Sequence, residues 1–247
     1  LVFSHGLVGI RQQNSSLFQE LASWGYIVVA LDHTDAAAVT VFPDGEVHLF
    51  NLQRFGIEPA EVERSTELLL PVWVADQRFV YDTLECWEKH DPLLAGKLDL
   101  HKIASFGHSF GGVTSLEVCR IEPRCRAAVN LDGGLSGDGS KAACRPFMLM
   151  SSTESNQFSY AIQRWQKLIT EAKAPAYWLE LPGGNHYSFT ILPLISPLIS
   201  PQGFDIQAGL QTVARYTRAF FDLYLQGIQT DLLNSSLGAT DVIWRTE

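Results

Sequence analysis

The stretch "IASFGHSFGGVTS", residues 103–115, decides how the rest of the chain is read. An apolar run, Ile103 to Phe106, passes through Gly107-His108-Ser109-Phe110-Gly111 into Phe110–Arg120, a segment with helical spacing. The pattern G-x-S-x-G alone arises by chance in roughly one chain in ten of this length at ordinary glycine and serine frequencies. A strand before it and a helix after it give it chemical meaning, because a tight strand-to-helix turn lifts the serine hydroxyl clear of the backbone. Gly107 and Gly111 let neighbouring chain pass where a Cβ would collide. Ser109 then stands at the amino end of a helix, where the dipole favours developing negative charge. The competing reading is a glycine-rich turn that serves packing alone.

Further runs of the same kind lie on either side. Leu1–Phe3, Tyr26–Leu31, Ile103–Phe106, Ala127–Leu131, Phe147–Met150 and Tyr177–Leu181 are short and apolar throughout. That is the pattern of strands covered on both faces of a parallel sheet. Helical patterns fall between them: Ser16–Trp24 with a stop at Gly25, Glu61–Trp87, Phe110–Arg120, Ala161–Ala172 and Ile206–Leu225. Pro71 is expected to kink or split the second of these. The alternation predicts one doubly wound α/β domain over residues 1–247, a mostly parallel central sheet with helices on both faces. Val39–Phe42 and Glu46–Phe50 flank Asp44-Gly45, which predicts a hairpin inserted above the sheet.

Composition narrows the class. With 46% hydrophobic and 18% charged residues among 247, the chain carries a large core. A net charge of −9 speaks against nonspecific nucleic-acid binding. No run reaches the roughly 18 apolar residues of a membrane span; Phe189–Ile199 comes nearest and is broken by Pro193 and Pro197. The chain opens at Leu1 inside a strand pattern, without a Met or a signal-like segment, so N-terminal strands are expected to be missing. Cys86, Cys119, Cys125 and Cys144 allow two disulfides in three connectivities, or four thiols; no Cys/His spacing points to a metal. Disulfides would favour a secreted or extracytoplasmic location.

A serine nucleophile needs a base and an acid. In this architecture the order is nucleophile, acid, histidine. Among the seven histidines only His186, in "PGGNHY" (182–187), follows Ser109. Asp132, after Ala127–Leu131, and Glu154, after Phe147–Met150, both fall at the carboxyl edge of the sheet; position alone does not separate them. Asp138 is a third candidate, read as a solvated loop residue. An oxyanion hole needs two backbone N–H groups. Phe110 would supply one, and Leu7, in the loop of "LVFSHGLVG" (1–9), the other. His5 reads as a hydrogen-bonding residue that holds this loop.

Taken together, "FSHGL" (3–7), "LASWGYIVVALDHTD" (21–35), "IASFGHSFGG" (103–112), "RCRAAVNLD" (124–132) and "PFMLMSSTE" (146–154) resemble the platelet-activating-factor acetylhydrolase family of serine lipases, of the plasma and intracellular isoform II type. The resemblance implies an α/β-hydrolase fold and calcium-independent hydrolysis of the short or oxidised acyl chain at the second glycerol position of phospholipids. It assigns the acid to Asp132, leaves Glu154 a supporting place, and matches Leu7 and Phe110 to the oxyanion amides. It calls for no metal and no organic cofactor, and implies a small ester or phospholipid substrate with shallow contact to lipid surfaces.

Two stretches depart from the family. "GGLSGDGSKAAC" (133–144) is shorter and richer in glycine than the aromatic segment that shapes the acyl site in animal members. "SFTILPLISPLISPQGF" (188–204), with two "PLIS" copies, reads either as an apolar flap or lipid-contacting edge, or as a loop buried against the last helix. Rival functions are a broad-specificity carboxylesterase or polyester hydrolase, an acyltransferase, and a catalytically silent binding protein of the same fold. Oligomeric state has no signature in the sequence.

Overall fold

The computed structural model describes residues 1–55, 59–134, 143–234 and 240–245; Asp138 and most of the glycine-rich stretch after Asp132 fall outside them. The chain begins with strand β1 (Val2–Ser4), a 3-10 turn (Arg11–Asn14) and helix α1 (Ser15–Ser23), then β2 (Val29–Leu31). A hairpin follows, β3 (Val39–Val41) and β4 (Val47–Leu49), with the short α2 (Leu52–Phe55) and the long α3 (Pro59–His90). The central run is β5 (Ile103–His108), α4 (Phe110–Ile121), β6 (Cys125–Leu131), β7 (Phe147–Ser152), α5 (Ser159–Glu171) and β8 (Ala176–Leu181). Two short helical turns, α6 (Leu192–Ile195) and Pro197–Ile199, precede α7 (Ile206–Phe221) and β9 (Ile243–Trp244).

Seven strands form one sheet in the order β2-β1-β5-β6-β7-β8-β9, parallel throughout except for β9. Side chains alternate across it. From β7, Phe147 and Leu149 join a core with Trp73, Val113, Leu116 and Trp165 on the α3, α4 and α5 side. Met148 and Met150 join Leu17, Leu21, Val213 and Phe220 on the α1 and α7 side. Both faces are therefore covered, which is why the strands carry no polar alternation in sequence. The direction of strand addition reverses between β1 and β5, so the crevice at their carboxyl ends is the topological switch point where ligands bind in such sheets.

Three details differ from the sequence reading, and a fourth decides a point it left open. Helix α3 is not divided at Pro71. Pro71 and Glu67, whose carbonyl loses its amide partner, both face solvent, while Leu69, Leu70, Trp73 and Val74 are buried and hold the helix in place by packing. Strand β2 pairs only from Val29, because Tyr26 closes the α1 turn through its N–H to Leu21 O. The last helix ends at Phe221 in a wider turn, Asp222–Gln226, capped by Gly227 at φ 72°. Cys119 and Cys125 form a disulfide between the end of α4 and the start of β6, whereas Cys86 is an exposed free thiol.

Candidate active site

Ser109 joins β5 to α4 at φ 55°, ψ −125°, a conformation that costs energy for any residue with a Cβ. The turn is held because the Ser109 N–H donates to Leu131 O on the neighbouring strand at 2.8 Å. It is also tight: a Cβ on Gly107 would overlap the Gly111 carbonyl, and one on Gly111 the Ser4 carbonyl. The hydroxyl projects at the carboxyl edge of the sheet, half-buried, above the start of α4.

The next strand ends on Asp132, which also takes a left-handed backbone, φ 57°. Asn130 clamps this turn, accepting from Gly133 N–H at 2.7 Å and donating to Gly133 O at 3.0 Å. The carboxylate is fully buried and satisfied by three donors besides the imidazole. Ser152 N–H reaches Oδ1 at 2.7 Å; the Ser152 and Ser155 hydroxyls reach Oδ2 at 3.1 and 2.8 Å. His186 Nδ1 lies 2.7 Å from the same Oδ2, which directs its proton to Nδ1 and leaves Nε2 as the basic edge. The Ser109 hydroxyl is not hydrogen-bonded to Nε2 here; in unliganded sites such contacts commonly tighten only when substrate binds.

Glu154, the other acidic candidate, meets the backbone of His186 and not its ring: Oε2 accepts the His186 N–H at 3.0 Å. The histidine loop is further fixed by a reciprocal capping pair between Asn185 and Ser188. Its carbonyl side is held by a residue absent from the sequence-derived list. His108 Nε2–H donates to His186 O at 2.8 Å, while His108 Nδ1 accepts from Gln13 Nε2 at 3.0 Å. Burial pushes the His108 imidazole far below the ordinary histidine range, and His186, with ring centroids 4.6 Å apart, adds to the effect. His108 is thus a neutral strut. Gln13 O also accepts from Ile191 N–H at 2.9 Å and Asn14 Nδ2 donates to Phe189 O at 2.6 Å, so the first loop and the histidine loop are laced together.

That first loop brings Gly6 against Ser109; a Cβ there would lie 3.0 Å from Ser109 Cβ. Val8, β-branched at φ 61°, is strained and is held by its N–H on Ala36 O at 3.0 Å. Leu7 N–H and Phe110 N–H have no acceptor among the described residues; Leu7 follows Gly6, which packs on Ser109, and Phe110 follows Ser109 itself. His5 is buried under the loop with Nδ1 on Gly6 O at 2.6 Å.

The residues that sequence reasoning missed are polar groups, buried for Gln13, Asn14, His108, Asn130 and Ser152 and half-buried for Ser155. Two carried a usable signal. Hydroxyls in "SSTES" directly follow a strand end, and His108 sits inside the nucleophile motif. Gln13 and Asn14 carried none, since their partners lie 95 and 175 residues away. In the "PLIS" segment Leu194, Ile195 and Leu198 face solvent, so it is not a buried loop. No helix among the described residues is long and apolar enough to cross a membrane, and no metal-holding cluster is found among them.

A family model described as platelet-activating factor acetylhydrolase, isoform II, matches residues 1–69 and 87–221. A probable 1-alkyl-2-acetylglycerophosphocholine esterase of Arthroderma benhamiae is 27% identical, over 94% of this chain and 62% of its own length. Platelet-activating factor acetylhydrolases of Canis lupus familiaris and Bos taurus are 25% and 29% identical over 94% of this chain and 58% of theirs. The chain therefore spans less than two thirds of these relatives. Among solved structures, a ferulic acid esterase from Streptomyces cinnamoneus superposes with a TM-score of 0.83 at 26% identity, covering 99% of this chain and 72% of that one.

Proposed function

Since the chain belongs to the platelet-activating factor acetylhydrolase isoform II family, we propose that it is a carboxylic ester hydrolase. Its proposed substrate is a phospholipid with a short or oxidised acyl chain at the second glycerol position. The proposed catalytic residues are Ser109, His186 and Asp132, with the Leu7 and Phe110 N–H groups as oxyanion donors and residues 1–247 as one catalytic domain. The observation that carries this reading is the 2.7 Å contact of His186 Nδ1 with a buried Asp132 beside a strained, half-open Ser109.

In the proposed mechanism Ser109 Oγ attacks the ester carbonyl carbon while its proton passes to His186 Nε2. Asp132 fixes the tautomer and stabilises the imidazolium. Each oxyanion donor contributes roughly 3 kcal/mol to the tetrahedral state in comparable sites. The imidazolium protonates the leaving alcohol, and the imidazole then activates water, which releases the acid from Ser109. Glu154 holds the His186 N–H and His108 the His186 carbonyl. The exposed Leu194, Ile195 and Leu198 would give shallow apolar contact with a lipid surface; with a net charge of −9 that contact is hydrophobic and not electrostatic.

The ferulic acid esterase likeness favours a second reading, a broader carboxylesterase. A panel of short-chain phospholipids, feruloyl esters, simple p-nitrophenyl esters and polyester fragments, ranked by kcat/KM, separates the two. Phospholipids at the head of the ranking support the first reading; phospholipids left untouched while aromatic esters turn over establish the second.

A further inference from the structure

A second cluster of titratable side chains lies beneath the oxyanion loop, outside the proposed triad. His5, His33, Trp73 and Gln77 are all buried there, and Asp76 closes the cluster toward solvent from α3. His33 Nδ1 lies 2.7 Å from Asp76 Oδ2, and its Nε2 meets Ser4 Oγ at 3.0 Å. The His33 ring stacks flat on Trp73, centroids 3.7 Å apart and 6° from parallel. Trp73 also touches His5 at 5.2 Å and Phe110 at 4.6 Å, centroid to centroid. Its indole N–H has no acceptor among the described residues, so packing and not a side-chain hydrogen bond holds it.

The cluster ends on one peptide unit. The His33 backbone N–H donates to His5 Nε2 at 3.1 Å, which leaves the His5 proton on Nδ1, and Nδ1–H donates to Gly6 O at 2.6 Å. Burial lowers His5 to about 3, so it stays neutral at working pH. Asp32 comes no closer than 4.0 Å to Nε2, and its oxygens are taken by Arg11 at 2.7 and 2.9 Å. In a trans peptide the carbonyl and the following N–H point in opposite directions. Whatever holds Gly6 O therefore sets where Leu7 N–H points.

We infer that His5 is a positioning residue for the oxyanion hole: set by His33, Trp73 and Asp76 behind it, it grips the Gly6 carbonyl and so aims Leu7 N–H at the reacting ester. Trp73 also packs on the Phe110 ring, next to the second proposed donor. Trp73 and Asp76 lie in the part of α3 that the family match passes over. The inference rests on the serine-hydrolase reading above, and deepens it.

The test compares His5→Phe, His5→Asn and Asp76→Ala with the wild type, using p-nitrophenyl acetate as substrate and phenylboronic acid as probe. The boronate places a negative oxygen in the oxyanion hole once Ser109 has added to boron. His5→Phe keeps a ring against Trp73 but loses the donor. Deleting an oxyanion donor outright costs about 100- to 1000-fold in kcat. Misaiming one, with Gly9 N–H still on Gly6 O at 2.8 Å, is expected to lower kcat by about tenfold or more, with KM within about twofold. The boronate Ki should rise by the same factor. His5→Asn, whose amide reaches the Nδ1 position, should recover most of both, and Asp76→Ala should lose roughly threefold or more in the same pattern.

A folded His5→Phe with wild-type kcat and Ki, a loss confined to KM, or no recovery in His5→Asn overturns the inference. If His5→Phe does not fold, Asp76→Ala decides, and wild-type kcat and Ki there overturn it equally. A wild type inert toward both ester and boronate overturns the hydrolase reading itself, and this inference with it.

Discussion

The molecule holds two constellations of serine, histidine and aspartate: Ser109, His186 and Asp132 at the sheet edge, and Ser4, His33 and Asp76 beneath it. Histidine Nδ1 lies 2.7 Å from aspartate Oδ2 in both. The lower set is the more complete by contact, since its serine is hydrogen-bonded to the imidazole. Exposure is inverted. Side-chain exposure is 33% for His186 and 0% for Asp132, against 1% for His33 and 41% for Asp76. In the upper set the carboxylate is dry and the imidazole edge open; in the lower set the carboxylate faces water and the serine is sealed. The upper set also has a strained serine and, next to it, two N–H groups without an acceptor among the described residues; Ser4 has no such strain. Three residue types at the right distance do not make a nucleophile. Access, backbone strain and nearby unpaired N–H groups distinguish the two, which is why Ser109 and not Ser4 is the proposed nucleophile.

The largest test of this contrast is at the serines. Ser109→Ala is expected to lose on the order of 10⁴-fold or more in kcat on a p-nitrophenyl ester and all labelling by a fluorophosphonate probe. Ser4→Ala should keep kcat within about tenfold and retain the label, while its melt shifts by the roughly 1–3 kcal/mol of unpaired buried neighbours. Labelling that follows Ser4 would reverse the assignment.

The aspartates come next. Asp132→Asn is expected to lower kcat by about 10³- to 10⁴-fold, because the amide favours the wrong imidazole tautomer. Asp76→Asn still offers His33 an acceptor and should stay within about threefold. Glu154→Gln, which touches only the His186 N–H, should fall between them. A Glu154→Gln loss exceeding that of Asp132→Asn hands the acid role to Glu154.

The smallest effect is on stability, and it reads the buried histidines. His5, held at about 3, stays neutral in the fold, whereas in the unfolded chain it titrates near its ordinary 6.5. Below 6.5 the unfolded state binds more protons, so stability is lost as the pH falls. At pH 5 this amounts to about 2 kcal/mol for His5, or roughly 4–8 °C in Tm. His33 and His108, also lowered by burial, act in the same direction. Melts at pH 7, 6 and 5 that coincide would contradict the neutral buried assignment.

Much of this was readable from the chain itself. Apolar runs that fill both faces of each strand announced a covered parallel sheet, and the glycines around Ser109 announced a turn too tight for a Cβ. Directional order along the chain left His186 as the candidate base. The choice between Asp132 and Glu154 was different, since both follow strand ends with equal claim. The structure separates them by which atoms of His186 they meet: the ring for Asp132, the backbone N–H for Glu154. The expected break at Pro71 did not occur, because a buried face on α3 outweighs one lost hydrogen bond whose partner faces water.

The sequence by itself determined the alternation of strands and helices, the turn at Ser109 and the identity of the chemically able side chains, because these depend on residue type and local spacing. Only the tertiary structure decided which polar groups meet. Ser4 with His33, Gln13 with His108 and His5 with the His33 N–H are contacts set by how the sheet stacks distant segments, with partners up to 95 residues apart. Burial then made the difference between otherwise equal sets, since a group's access to water depends on everything packed around it and on no stretch of chain alone.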